Sequence, residues 1–176
     1  MTVANRARRK NGKVGRPAPK DANGEPEPKL GESLEFLQLL WELVHALQSL
    51  SKHMEASLGV TGPQRLVLRI VGRSPGISAG GLARILRVHP STLTGVLRRL
   101  EQRDYVARAP DAADGRRSLF SLTRKGRLID RDTGVTAESA VRTVLGRSGD
   151  ARAASTRATL RELVIELERR TTALSQ

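Results

Sequence analysis

Residues 61–122 break into short segments, each with its own start or stop signal, and no long uniform element can accommodate them. Thr61-Gly62-Pro63-Gln64 has the spacing of a capping box, in which a hydroxyl and an amide satisfy the free N–H groups at a helix start. Leu66, Val67, Ile70 and Val71 follow at helical spacing, and Gly72 reads as the stop. Ser78 can cap a short helix to Leu86 that turns Leu82, Ile85 and Leu86 inward. His89-Pro90 then puts proline at the first position of a longer helix with the apolar stripe Leu93, Val96, Leu97 and Leu100. Residues 105–109 and 118–122 read as two short strands around a turn rich in Asp and Gly. The pattern predicts two short helices, a longer one and a charged hairpin.

Long helices are predicted on either side. Phe36, Leu40, Leu43, Leu47, Leu50 and Met54 step by four and three, a helical seam with Ser33 as its N-cap and Gly59 as its stop. Leu37, Trp41 and Val44 widen that stripe, so the helix needs apolar partners on two sides, a subunit interface as well as a core. After the hairpin, Thr123 can cap a helix running to Leu145, and a last helix at about 150–173 carries Leu160, Leu163, Val164 and Leu167. Residues 1–32 hold almost no large apolar side chain and read as a mobile basic arm that cannot fold alone.

Charge is segmented in the same way. The net charge is +13, but residues 1–20 carry seven bases and no acid, and residues 62–127 carry fourteen bases and four acids. Residues 21–61 have the opposite bias, with two bases and seven acids, and residues 128–176 are nearly balanced. Concentrated blocks of this kind attract phosphate polymers through counterion release. Other classes find little support. No apolar run reaches the length of a membrane span, and the basic N-terminus lacks the apolar stretch of a secretory signal. Cysteine is absent, which excludes disulfides and thiolate metal sites.

The longer helix carries a defined outer face. At about 100° per residue, the side opposite Leu93, Val96, Leu97 and Leu100 is centred on Ser91, Gly95, Arg98 and Gln102, flanked by Thr94 and Arg99. Small hydroxyl residues near a helix N-terminus with arginines further along suit a helix that reads base edges and grips phosphates. Gly95 is the exception on this face. It either permits a close approach to a groove or makes no contact, at an internal cost of roughly 1 kcal/mol relative to alanine.

These residues together resemble the MarR family. Thr61-Gly62-Pro63-Gln64 is similar to that family's second-helix start, and Ala83-Arg84-Ile85-Leu86 through Pro90-Ser91-Thr92-Leu93-Thr94 to its helix-turn-helix. Asp111-Ala112-Ala113-Asp114-Gly115-Arg116-Arg117, followed by Ser121-Leu122-Thr123 and Gly126, resembles its wing signature. The resemblance spans about residues 34–130. It implies a mainly α fold with a minor β part, a winged helix-turn-helix lobe and a helical dimerisation region formed by the N- and C-terminal helices. The expected divisions are the arm 1–32, a dimerisation helix 33–60, the DNA-binding lobe 61–127 and C-terminal dimerisation helices 128–176.

By the same resemblance the protein is expected to be a cytoplasmic, nucleoid-associated transcriptional regulator, a repressor and not an enzyme. It would bind double-stranded DNA as a homodimer on a pseudo-palindromic operator, with release by a small-molecule effector. Ser91, Thr92, Thr94, Gly95, Arg98, Arg99, Arg84, Arg116 and Arg117 form the expected DNA-binding set. Arg116 would enter the minor groove and Asp114 would hold its guanidinium, although Asp114-Gly115 also suits a plain hairpin turn. Two departures stand out: Asp104 sits where the family has glycine after the reading helix, and Gly95 sits where an arginine follows the Thr94 equivalent.

Three further features complete the reading. Lys13-Val14-Gly15-Arg16-Pro17 is similar to a minor-groove hook built on Arg16, or simply adds nonspecific attraction. Trp41 and His45, four apart on the first long helix, could line an effector pocket or pack in an interface. His45, His53 and His89 are the only histidines; the first two are eight apart, about 80° around a helix, which is poor joint metal geometry. No metal, cofactor or catalytic constellation is expected. The competing function is an architectural DNA-binding protein with little sequence preference.

Overall fold

The computed structural model describes residues 30–132 and 134–174. Residue 133, and the arm with Arg16 and its hook-like motif, lie outside them. The chain divides into two units, residues 1–41 and 42–176, with the boundary inside the first helix. That helix, α1 (Glu32–Leu58), begins two residues earlier than an N-cap at Ser33 implies. Leu34 and Glu35 donate their N–H groups to the Gly31 carbonyl, so Ser33 lies within the first turn and is not the N-cap. Glu32 and Glu35 place negative charge at the positive end of the helix dipole.

In the second unit, α2 (Gly62–Arg73), α3 (Ala79–Leu86) and α4 (Pro90–Gln102) surround a single apolar core. The reciprocal Thr61–Gln64 capping box opens α2, and Ser78 accepts from the Gly81 N–H to open α3. His89 caps α4 through its ring nitrogen, with Pro90 at the first turn. Leu68, Leu82 and Leu100 are fully buried, and Val67, Leu93, Leu97 and Phe120 nearly so. Each such side chain contributes about 1.5–3 kcal/mol by leaving water.

The hairpin strands are β2 (Val106–Pro110) and β3 (Ser118–Leu122). A two-residue strand that the sequence does not reveal, β1 (Ile77–Ser78), pairs antiparallel with β3 on its other side, giving the order β1-β3-β2. Val106 stands opposite Leu122 and Arg108 opposite Phe120. Residues paired in this way share a face of the sheet, so Arg108 extends the face that the core side chains begin.

The Leu122-Thr123-x-x-Gly126 run has a steric reason. Thr123 accepts from the Gly126 N–H and caps α5 (Arg124–Arg131), while its own N–H bonds to the Tyr105 carbonyl. A Cβ on Gly126 would fall 1.9 Å from that carbonyl oxygen, so only glycine lets α5 start there. Gly72 has a related role. It is not the end of α2, which continues to Arg73; a Cβ there would meet the Asp130 carboxylate at 2.9 Å and Leu122 at 3.0 Å.

The helix predicted to run from Thr123 to Leu145 is broken. α5 ends at Arg131, and α6 (Ala137–Ser148) restarts with a reciprocal cap between Thr136 and Ser139. α7 (Asp150–Ala173) follows as predicted. Arg65 of α2, 1% exposed, occupies the break. Its guanidinium donates to the carbonyls of Ile129, Asp130 and Asp132 at the C-terminal end of α5, where Ile129 also accepts the Asp132 N–H, and to Glu138 in the first turn of α6. We expect Gly126→Ala to lower the unfolding free energy by about 1–3 kcal/mol or more, read from urea denaturation, because α5 must shift off the Tyr105 carbonyl.

Candidate nucleic-acid interface

Packing of Leu93, Leu97 and Leu100 into the core fixes the rotation of α4 and turns Ser91, Thr92, Thr94, Arg98 and Arg99 into solvent. Within that face the hydroxyls are partly committed. Ser91 Oγ lies 2.8 Å from His89 Nδ1, and Thr94 donates to the Pro90 carbonyl at 2.9 Å. Both remain exposed, so each oxygen keeps capacity for an outside partner. Arg87, in the tight turn between α3 and α4, adopts the left-handed conformation, as does Asp104 after α4. Asp104 is held there by the Thr123 hydroxyl, which donates to its carbonyl at 2.6 Å. The departure from glycine at this site is therefore accommodated without disturbing the strand that follows.

A cleft of about 780 Å³ opens between α3, α4 and the hairpin. Arg84 comes to it from α3, Thr94, Arg98 and Glu101 from α4, Arg108 from β2, and Arg116 and Arg117 from the hairpin turn. Five arginines against one carboxylate make this a strongly positive concavity, which raises the local concentration of polyanions. Arg108 belongs to the cluster although the sequence reading passes over it. The signal was the strand alternation itself, since Val106 and Arg108 fall on the same side of β2.

The hairpin turn differs in one respect from expectation. Asp114 Oδ1 accepts from the backbone N–H of Arg116 at 3.1 Å and makes no ion pair with its guanidinium among the described residues. The carboxylate shapes the turn, and the Arg116 side chain is left extended into solvent. It is Arg117 that is tethered, with Asp111 at 3.8 Å and the Ser78 hydroxyl at 3.4 Å. Asp111 also accepts from the Ala113 N–H, so the two acids of the signature organise the turn backbone in parallel.

Of the expected site residues, the cleft gathers Arg84, Thr94, Arg98, Arg116 and Arg117. Ser91, Thr92, Gly95 and Arg99 share α4 with Thr94 and Arg98 but do not line the cleft. Trp41 is 80% exposed, and His45 is exposed as well. No group of three or more metal-ligating side chains occurs among the described residues. No helix among them is long and apolar enough to cross a membrane.

Three helices with a capped reading helix and a charged hairpin beside it define a winged helix-turn-helix protein. Comparison with known proteins narrows the class. The MarR family's sequence model matches residues 58–117. The HTH-type transcriptional repressor Rv2887 of Mycobacterium tuberculosis is 37% identical over 90 residues, covering 51% of this chain and 65% of the relative. The chain thus spans just under two thirds of that relative's length. The PcaV transcriptional regulator of Streptomyces coelicolor, solved in complex with its natural ligand, superposes with a TM-score of 0.62 at 25% identity, over 78% of this chain and 96% of its own. The DNA complex of MepR from S. aureus shares the fold with a TM-score of 0.62 at 21% identity, over 75% and 97% of the two chains. Residues 58–117 are thus similar to the MarR family, and the relative and neighbours named here are transcriptional regulators.

A Cβ on Gly95 would meet only Arg99 Nη2, at 3.9 Å. Space is therefore available within the free protein, and Gly95→Ala should raise stability by up to about 1 kcal/mol. Thermal unfolding checks this; a loss of stability would show that the backbone at this point is not ordinary helix.

Proposed function

We propose that the protein is a sequence-specific transcriptional regulator that binds double-stranded DNA through α4 and the hairpin wing, as a homodimer on a pseudo-palindromic operator. The observation that carries this reading is the cleft in which Arg84, Arg98, Arg108, Arg116 and Arg117 converge beside the hydroxyl-bearing end of α4. Phosphate-gripping cations and a base-reading face occur together on one rigid lobe. Ser91, Thr92, Thr94 and Arg98 would meet base edges in the major groove, with Arg99 and Arg84 on phosphates. Arg116, whose guanidinium has no ion-pair partner among the described residues, would reach the minor groove, where narrow width and negative potential favour an inserted arginine. Asp114 would act through the turn backbone and not through the guanidinium.

Several observations support the homodimer. α1 leaves Leu37, Leu39, Trp41 and Val44 exposed, and α7 leaves Val164, Ile165 and Leu167 exposed. α6 has no buried side chain at all. Apolar surface on this scale is covered in water by another surface, and a second copy is the partner proposed. Repression is proposed because the matched mycobacterial relative is named a repressor. Release by a small-molecule effector belongs to the same reading, supported by the ligand complex of PcaV. Trp41 and His45 would take part only if the second copy closes a pocket over them. A cytoplasmic, DNA-associated location follows from the proposed partner.

Selection from random duplexes with the full chain tests the proposal. The expected product is an enriched inverted repeat with half-sites about one helical turn apart, roughly 34 Å. Recovery of tight binders with no common sequence would replace it with an architectural, sequence-tolerant role.

A further inference from the structure

The route from the lobe to the C-terminal helices passes through the break between α5 and α6, and the means by which that break is held has a consequence for DNA reading. Within one copy α6 buries no side chain, so no apolar packing inside the same chain sets the direction in which it leaves the lobe. What holds its first turn is polar. Arg65 Nε donates to Glu138 Oε1 at 2.7 Å while the rest of the same guanidinium grips the carbonyls of Ile129, Asp130 and Asp132. Arg69, four residues along the same face of α2, donates to the carbonyl and the carboxylate of Asp130, both at 2.8 Å, and stands 3.9 Å from Glu138. Thr136, 1% exposed, anchors the restart.

The electrostatics favour this arrangement at every point. The guanidinium sits at the negative end of the α5 dipole, and Glu138 at the positive end of α6. Burial of the Glu138 carboxyl works to raise its pKa. Hydrogen bonds from Arg65, from its own backbone N–H and from Thr136, with the Arg65 charge, outweigh that and hold it below the ordinary value. The planar fork of an arginine is needed, because a lysine ammonium cannot span two helix ends with fixed directions. No buried side-chain nitrogen or oxygen among the described residues lacks a partner, so the cluster is fully satisfied.

We propose that Arg65, supported by Arg69 and acting through Glu138, is a positioning residue that sets the angle at which α6 leaves the DNA-binding lobe. In a homodimer, that angle sets the distance between the two reading helices and so the half-site spacing the protein accepts. The inference rests on the homodimer reading above. Arg65 touches no DNA in this account. It converts an irregular chain segment into a stiff corner, and sub-ångström changes there are amplified along the lobe.

The chain has no cysteine, so Thr92→Cys places a single nitroxide label on each reading helix of the full-length protein. The distance between labels on the two copies is then measured by pulsed dipolar spectroscopy, with and without Glu138→Ala. Glu138→Gln, which keeps an uncharged acceptor for Arg65, serves as the milder variant should the alanine protein unfold. The expected result is one narrow distance population in the parent, broadened or shifted by Glu138→Ala and less so by Glu138→Gln, with helical content retained. A lowered melting temperature with an unchanged distance distribution overturns the positioning role and leaves the homodimer standing. Absence of any dipolar signal in the parent overturns the homodimer reading, and the inference with it.

Discussion

The burial of Leu97 and Leu100 against Leu68, Leu82 and Phe120 is the constraint on which the rest of the lobe depends. It fixes the rotation of α4, and rotation decides which side chains face outward. A turn of a third of a revolution would send Thr94 and Arg98 into the core and bring leucines to the surface. The same core seats β3, whose pairing with β2 carries Arg108, Arg116 and Arg117 round to the open side of α4. The positive cleft is thus a by-product of apolar packing. Its arginines are held near one another against their mutual repulsion by a scaffold that gains far more from burial than their exposed charges cost.

Around that core the loops are governed by short-range hydrogen bonding. Thr61, Ser78, His89, Thr123 and Thr136 each supply a side-chain acceptor at a helix start. Asp111 and Asp114 do the same for the hairpin turn. Arg65 is the counterpart at a helix end, a buried cation that donates to the carbonyls around the end of α5. The wing is tied down at Arg117, while the Arg116 guanidinium has no ion-pair partner among the described residues, which suits the proposed insertion into a groove.

Much of this was legible in the residues because caps and periodicity are local. The starts of α2, α3, α4, α5 and α7, the hairpin, and the outward face of α4 all follow from spacing alone. What escaped detection depends on partners distant in sequence. Gly72 looks like a stop, yet it is a place where α5 approaches closely. Arg65 looks like a solvated charge on an amphipathic helix, since arginine is almost never fully buried without a partner, and its partners lie more than sixty residues away. The break after Arg131 did carry a local signal, Gly134 followed by the Thr136–Ser139 cap, which the helical pattern overrode; only the Arg65 contacts that hold it are distant in sequence. β1 is too short to carry an alternation, and Arg108 needed the strand register before its side could be assigned. Of the two roles open to Asp114, the turn contact is the one formed, because a carboxylate two residues before an arginine readily reaches its backbone N–H.

Ionic-strength dependence of binding tests the central claim, that DNA is held by the arginine cluster between α4 and the wing. On a selected duplex, log K against log salt should lose about one unit of negative slope for each phosphate-contacting arginine removed. Arg84→Ala and Arg99→Ala are predicted to show this loss, with affinity falling evenly across duplex sequences. Arg98→Ala and Arg116→Ala are predicted to weaken the selected duplex more than others. Slopes and preferences unchanged in all four variants would contradict the account and place the DNA contact elsewhere on the chain.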